Sequence, residues 1–436
     1  MFFYLLKLIV NPWSVLLTIH KKYGDIIHTR FFNKPILFVS NPEYLQEIFT
    51  LEGKGSVNRD SLYEAKLTMF GNGLFNSKGD LWVNQRKLMQ PVFAKQAIGV
   101  WQDIILEEAE LTTSRIKRYG HQEVNFSREM KITVQRILVR LMFSGSNTDK
   151  PDEQLMHCVD VILKGLFPHF VTATLGKSGL KHLFFIRNRR MQRAVNYFKS
   201  YVERQINHSI AHPDSHDLLS MMMASKDKQG DAMTNNLLND ETVTLFLAGQ
   251  DTTVNTLIWL FYLLAKNTDK HEKVTQEIDR LSDLPLTAEN MEHYTYTMAA
   301  LNESMRLYPQ AIALSRDTVE DVTIGGKDIA KGTTLVMTIC ETHRDNEYWE
   351  KPNEFYPEHF LSNTVRHKFS FIPFGAGIHS CIGRHLAEFE MMLIIITFLR
   401  VMSVKTEQDV TPAISITLKP SRDVMLKRTF RNTVPA

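Results

Sequence analysis

The sequence predicts a mainly α-helical protein with small β-sheets near both ends of the chain. Long helical patterns follow one another from about residue 80 to residue 309, and short strand patterns lie before and after them. The strands do not alternate regularly with helices, which argues against a parallel α/β sheet. Their presence also argues against a plain helical bundle.

The N-terminal elements are short. Residues 12–23 fit a helix between a proline and a glycine, 26–32 and 35–40 fit paired strands, and 42–49 fit a second helix. Glycines in residues 53–78 indicate an irregular segment. Helical periodicity then predicts a series of longer helices, at 80–93, 97–118, 127–144, 152–165, 184–211, 235–266, 270–281 and 294–307.

The remaining elements are less regular. Residues 166–183 are expected to form an apolar loop, and residues 352–373 are rich in proline. A further helix is expected over 382–401, and a hairpin-like tail over 412–428. Short strands are predicted after Pro309, at 314–319, 322–324 and 334–338.

Composition favours one globular domain over residues 1–436. The chain is 44% hydrophobic and 23% charged, and we find no linker, charge block or repeat. Its 51 basic and 48 acidic residues give a net charge of +3, which argues against nucleic-acid binding. The three cysteines (158, 340 and 381) argue against a disulfide framework and predict a reducing compartment, the cytoplasm.

Residues 1–11 begin with an apolar run that Lys7 interrupts. The run is about half the roughly 20 residues that a membrane-spanning helix needs. A basic start and a small-residue cleavage site are absent from it, so a secretion signal is not expected. Two interpretations stay open: a strip that packs on the fold, or a weak interfacial anchor with at most slight membrane contact.

The segment Phe371-Ile-Pro-Phe-Gly-Ala-Gly-Ile-His-Ser-Cys381-Ile-Gly383 carries the strongest functional pattern. Its glycines let the backbone turn tightly and point N–H groups at the sulfur. A helix beginning at Cys381 adds its positive end, which favours a thiolate suited to bind iron, with Phe374 keeping water from the sulfur. The alternative is a buried cysteine beside a turn, but roughly 0.0004 chance matches to this spacing are expected per chain.

This segment resembles the haem-binding loop of the cytochrome P-450 family, in particular its soluble, bacterial-type, single-domain members. The resemblance covers about residues 12–430. It implies haem b (iron protoporphyrin IX) held between a long distal helix and the helix after the cysteine loop. Cys381 would ligate the iron, and the activity would be monooxygenation with O2.

The predicted helix 235–266 contains Ala248-Gly249-Gln250-Asp251-Thr252-Thr253 in its middle. One interpretation is a kink with threonines bonded back to the helix. The resemblance implies another: small residues make room over the haem, and Asp251 and Thr252 pass protons to bound oxygen.

Glu303 and Arg306 are spaced to lie on one helix face. Such pairs are common on surfaces, but the resemblance implies a structural lock between this helix and the segment Trp349–Phe360. The family's usual third member is an arginine, and His359 stands there instead. A neutral histidine cannot supply a charged, bidentate fork.

Haem propionates need cationic or hydrogen-bonding partners. Trp82 and Arg86 resemble the family's Trp-x-x-x-Arg pattern, and Arg316 and His379 are further candidates. For each of the charged groups, the alternative is a solvated surface position.

The substrate is expected to be a small apolar molecule such as a fatty acid, terpenoid or sterol-like compound. The segments expected to enclose it are 57–78, 166–183, the face around Leu245 to Thr252, and Ala311–Leu314. No flavin or iron–sulfur motif is evident, so electrons should come from a separate ferredoxin, flavodoxin or reductase. Arg86, Lys87, Lys95 and Arg384 could attract an acidic partner to a monomeric enzyme. Two alternatives stay open: a peroxygenase or isomerase of the same fold, and a non-catalytic haem sensor or apolar-ligand carrier.

Overall fold

A computed structural model describes residues 12–31, 34–59, 63–119, 123–143, 152–174, 185–212, 217–226, 230, 232–362 and 364–431. Helices dominate, as the sequence predicts. The α-helices in these ranges are α1 (Pro12–Leu16), α2 (Ile19–Tyr23), α3 (Pro42–Lys54), α4 (Tyr63–Phe70), α5 (Gly79–Met89), α6 (Gln102–Lys117), α7 (Phe126–Met142), α8 (Glu153–Thr174), α9 (Phe185–Ala211), α10 (Leu218–Ala224), α11 (Asn235–Lys266), α12 (Thr268–Arg280), α13 (Thr295–Leu307), α14 (Ile339–Thr342) and α15 (Arg384–Val401).

The strands form small sheets that join distant parts of the chain. They are β1 (Ile26–Phe31), β2 (Lys34–Val39), β3 (Val57–Asn58), β4 (Glu123–Asn125), β5 (Leu314–Thr318), β6 (Val322–Ile324), β7 (Lys327–Ile329), β8 (Thr334–Met337), β9 (Met402–Lys405), β10 (Pro412–Ile414), β11 (Leu418–Pro420) and β12 (Met425–Phe430). The largest sheet has the order β1-β2-β8-β5-β3, with β2 and β8 parallel. It therefore connects the N-terminal region to the segment after α13.

The long helix α11 forms the centre of the main hydrophobic core. Its N-cap Thr234 accepts a hydrogen bond from the Leu237 backbone N–H, which satisfies one of the first free amides. From Val254 to Ala265 its side chains are buried on all sides, and α11 packs against α7, α9, α13 and α15. An all-round apolar helix of this kind is stable only inside a protein.

Several boundaries differ from the sequence prediction. The segment 53–78 is not wholly irregular, because it contains β3 and α4, whose last residues Met69 and Phe70 are buried. The predicted loop at 166–183 is wrong up to Thr174, because α8 continues past Gly165. A Cβ at Gly165 would lie 2.6 Å from Met191 Sδ, so this glycine allows α8 and α9 to pack closely. The rest of the predicted loop, 175–183, lies outside the described residues.

The C-terminal tail also differs from the expected hairpin. Only β10 and β11 pair with each other, whereas β12 pairs with β4 and β9. Residues 1–11, with the predicted apolar strip, lie outside the described residues. Within the described ranges, every helix is too short or too polar to cross a membrane.

Candidate functional site

The cysteine loop is a tight turn that ends just before α15. The Cys381 backbone N–H donates to the Phe374 carbonyl at 2.9 Å, and Gly375 and Gly377 both have φ of +69°. A Cβ at Gly377 would approach Phe49 Cδ1 at 2.9 Å, so glycine is required there for space as well as for backbone conformation. The helix begins at Arg384 with Gly383 as its N-cap, not at Cys381 as the sequence predicted.

The surroundings of Cys381 act on its sulfur in opposite directions. Burial raises the pKa of the Cys381 thiol, whereas the Gly383 backbone N–H and the charge of Arg86 act to lower it. Yet the residue is exposed to solvent, although Cys158 and Cys340 are buried. The sulfur is thus densely surrounded by protein and is still reached by solvent. A metal cation bound to the sulfur would favour the thiolate over the thiol.

The four predicted propionate-binding residues lie together beside the loop. Arg86 Nη1 donates to the Ser380 carbonyl at 2.9 Å, one residue before Cys381. The rings of Trp82 and His379 have their centroids 4.1 Å apart. Arg316 is 6% exposed and therefore is not the solvated surface charge that the sequence also allowed.

Sequence reasoning missed the acidic residue that joins two of these groups. Glu52 Oε1 accepts from Arg316 Nε at 2.5 Å and from His379 Nδ1 at 2.7 Å. Burial acts to raise the pKa of Glu52, but the hydrogen bonds from His379 and Arg316 lower it overall. A usable signal existed, because Glu52 follows Leu45 and Ile48 on the buried face of α3.

Arg59 is a second residue that the sequence analysis did not single out. Its guanidinium lies 5.7 Å from the Trp82 ring centroid, and Nη2 donates to the carbonyls of Leu74 and Ser77 at 2.6 and 3.1 Å. It adds a further positive charge beside Trp82 and His379. Its position in a segment expected to be irregular gave no periodic signal.

The middle of α11 has an open face. Ala248 is exposed and Thr252, one turn later, is partly exposed, although the helix runs through the protein core. Gly249 has a different role from the one predicted, because a Cβ there would lie 3.2 Å from Leu138 Cδ2. It allows α11 to pack against α7, and Ala248 is the small residue on the open face. The Thr252 hydroxyl donates back to the Ala248 carbonyl at 2.7 Å.

The Asp251 side chain bonds to a different part of the chain, the C-terminal hairpin formed by β10 and β11. Its Oδ2 accepts from the Thr417 hydroxyl, which lies just before β11. Burial raises the pKa of Asp251, and the Thr417 hydrogen bond and the charge of Lys419 partly oppose that rise. The carboxyl can therefore carry a proton closer to neutral pH than an ordinary aspartate can.

The predicted lock beneath the loop is present and fully buried. Arg306 Nε and Nη2 donate to both oxygens of Glu303 at 2.7 Å, and His359 Nδ1 contacts Glu303 Oε1 at 3.2 Å. The third contact is therefore a single hydrogen bond, as expected for histidine. Arg366, which sequence reasoning missed, bonds to the His359 carbonyl at 2.7 Å and lies 4.8 Å above the Trp349 ring.

The family model for cytochrome P-450 matches residues 1–428. The chain belongs to the cytochrome P-450 family. It is 26% identical to cyclooctatin synthase of Streptomyces melanosporofaciens, over 83% of this chain and 79% of that protein. It is 25% identical to pentalenene oxygenase of Streptomyces avermitilis, over 94% of this chain and 91% of that protein. Cytokinin hydroxylase of Arabidopsis thaliana is 26% identical, over 93% and 81% of the two chains.

Family membership confirms the predicted enzyme class and fold class. The chain is a cytochrome P-450 monooxygenase, and its helical architecture with small sheets is that of the family. The family implies a haem-thiolate cofactor, O2 as co-substrate, an electron-donating partner and an apolar substrate. The donor set fits such a cofactor, because one accessible thiol stands beside several cations.

Proposed function

We propose that this P-450 uses Cys381 to hold haem b and inserts one oxygen atom of O2 into an apolar substrate. The supporting observation is the accessible Cys381 thiol, with His379 in the same loop and Arg86 directly beside it. The bound haem supplies reductive activation of dioxygen. The N–H of Gly383 and the Phe374 side chain would stabilise and shield the sulfur.

Trp82, Arg86, Arg316 and His379 would hold the two haem propionates. Arg316 and His379 share the buried Glu52 carboxylate, which supports this role because a buried cation such as Arg316 needs anionic partners. Glu52 satisfies Arg316 in the protein alone. A propionate would add a second anion, and bidentate contact to the guanidinium would fix its orientation.

Thr252 and Asp251 would move the protons that oxygen insertion consumes. Two protons and two electrons enter for each O2, giving the hydroxylated product and one water. The Thr252 hydroxyl donates to Ala248, which leaves its oxygen free to accept a hydrogen bond on the open face of α11. The raised pKa of Asp251 suits a group that takes up and releases protons.

The substrate class we propose is a fatty acid, terpenoid or sterol-like molecule. One relative is named for oxygenating pentalenene and another is a monooxygenase named for cyclooctat-9-en-7-ol, an unsaturated alcohol. Leu245 and Leu314 are partly exposed apolar residues within the segments predicted to enclose it. A separate ferredoxin, flavodoxin or reductase would supply electrons to a monomeric, single-domain enzyme in the cytoplasm.

A two-armed turnover experiment tests this function. The purified holoenzyme is screened for substrate-induced spin shifts with dodecanoic acid, pentalenene and cholesterol, and compounds that respond are incubated with NADPH, a ferredoxin and its reductase. We expect a hydroxylated product that carries one atom from labelled O2. Product formed only with hydrogen peroxide would indicate a peroxygenase. A spin shift with no product under either condition would indicate a sensor or carrier.

A further inference from the structure

The C-terminal hairpin reaches the middle of α11 at Asp251. Thr417, 7% exposed, donates to Asp251 Oδ2, and the Trp259 indole N–H donates to the Leu418 carbonyl at 3.0 Å. On the other side, the Ser415 hydroxyl donates to the Leu163 carbonyl of α8 at 3.2 Å. The hairpin is therefore fixed against two helices, and Thr417 is held in place at the carboxyl.

The direction of the hydrogen bonds follows from the chemistry of the atoms. Asn255 Nδ2 lies 2.9 Å from the Asp251 carbonyl oxygen, which can only accept, so the amide nitrogen is correctly placed there. The same nitrogen donates its other hydrogen to Thr417 Oγ1 at 3.2 Å. The Thr417 hydroxyl hydrogen is then free to donate to Asp251 Oδ2. Oδ2 is thereby occupied as an acceptor, which leaves Oδ1 to carry the proton.

A group of charged side chains extends from this point towards solvent. The charges of Lys419, on β11, and Lys131, on α7, both act on Asp251. Lys419 in turn lies near Lys131, Lys164 and Asp160, and burial lowers its pKa. Asp160 is 3.5 Å from Lys131 and 3.7 Å from Lys164, and the three side chains are 38% to 61% exposed.

We propose that Thr417 is a positioning residue for proton delivery: by donating to Oδ2, it holds the Asp251 carboxyl so that Oδ1 carries the proton that is delivered to Thr252 and replaced from solvent. This inference rests on the proposed roles of Asp251 and Thr252. One proton leaves Oδ1 in each delivery, and one returns to it from solvent water. The hydrogen bond from Thr417 prevents the carboxyl from turning freely between the two orientations.

Infrared titration of the ferric holoenzyme tests the proposal without knowledge of the substrate. The Asp251 carboxyl band is identified by its loss in Asp251→Asn. Thr417→Val should raise the pKa of Asp251 and shift this band, because a donor to the ionised form is lost, whereas Thr417→Ser should restore both. Lys419→Met should also raise the pKa. The charged groups facing the carboxyl are Lys419 and Lys131, so Lys131→Met shows the size of a purely electrostatic effect.

The kinetic arm is the solvent isotope effect on O2-dependent NADPH oxidation with a ferredoxin and its reductase. Thr417→Val should slow the reaction about tenfold and increase the isotope effect, since a hydrogen bond to a charged group is worth roughly that factor. Thr411→Val is the matched control. Its hydroxyl bonds to Ser421 at 3.0 Å at the other end of the same hairpin, and it should behave as the wild type.

The outcomes separate this inference from the proposed function. If Asp251→Asn is impaired while Thr417→Val matches the wild type in band, pKa and isotope effect, Thr417 has no positioning role. If Asp251→Asn itself keeps the wild-type rate and isotope effect, the proton role of Asp251 fails, and the inference fails with it. Slow reaction in Thr417→Val with an unchanged carboxyl band would show a merely structural contribution and would also overturn the proposal.

Discussion

Replacement of Glu52 by alanine should destabilise the haem-free protein more than the haem-loaded one. The Glu52 side chain is 1% exposed and accepts hydrogen bonds from Arg316 and His379. Burial lowers the pKa of His379, so at neutral pH this histidine is a neutral hydrogen-bond donor to Glu52. Arg316 is then the charged partner of Glu52. Removal of Glu52 therefore leaves a buried guanidinium without its carboxylate.

The expected loss in the free energy of unfolding follows from the burial of the Glu52–Arg316 ion pair. Removing one partner of a buried ion pair costs about 3–5 kcal/mol. In the haem-loaded protein the propionates would still face Arg316, so we expect a loss of about 1–2 kcal/mol there. By linkage, the difference of about 2 kcal/mol should appear as roughly 30-fold tighter haem binding in Glu52→Ala.

Two assays measure these quantities. Urea unfolding gives the free energy of unfolding of the haem-free and haem-loaded forms, and transfer of haem to excess apomyoglobin gives its relative affinity. Glu407→Ala is the control, because that carboxylate is 89% exposed in its pair with Lys427 and should change neither result. Equal destabilisation of both forms, with unchanged haem transfer, would refute the idea that the propionates share Arg316 with Glu52.

The pH dependence has a defined sign. Because the pKa of Glu52 is lowered below 4.5 on folding, its stabilising contribution is complete above about pH 4.5 and is lost as the pH falls through the lowered value. The difference between wild type and Glu52→Ala should therefore shrink in acid. A difference that grew on acidification would contradict this assignment.

Three further predictions concern Thr252 and two buried groups. Thr252→Ala should lower product formation about tenfold or more and divert NADPH electrons to hydrogen peroxide, measured as the ratio of peroxide to NADPH consumed. His359→Ala should lower the free energy of unfolding by about 1–2 kcal/mol, against about 3–5 kcal/mol for Arg306→Ala, in urea titrations. Burial raises the pKa of Glu390 to about 8, so Glu390→Gln should be more stable than the wild type at pH 8, by at most about 4 kcal/mol, with little difference at pH 4.5.

Much of the fold could be predicted because its helices carry strong local patterns. The bounds of α11 agree with the predicted 235–266, since a threonine cap and a long apolar run define it. The failures lie where tertiary contacts override local preference. The helix predicted over 152–165 continues to Thr174, and Gly165 lets it pack closely against Met191.

The candidate site was predictable where spacing in the chain reflects distance in space. Trp82 and Arg86 are one turn apart, and His379 is two residues from Cys381. Helical spacing could mark Glu52 as buried, but its partners Arg316 and His379 could not be found from the sequence, because they are 264 and 327 residues away along the chain. Thr417 was missed for the same reason, since it lies 166 residues from Asp251.

The absorption spectrum of the reduced, CO-bound holoprotein tests the central claim, that Cys381 ligates the haem iron through its sulfur. The wild type and the control Cys158→Ala, which changes a buried cysteine, should both show the long-wavelength band that thiolate ligation produces. Cys381→His should still take up haem through the neighbouring cations but lose that band. A haem-loaded Cys381→His protein that keeps the band, or a wild type that lacks it, would contradict the account.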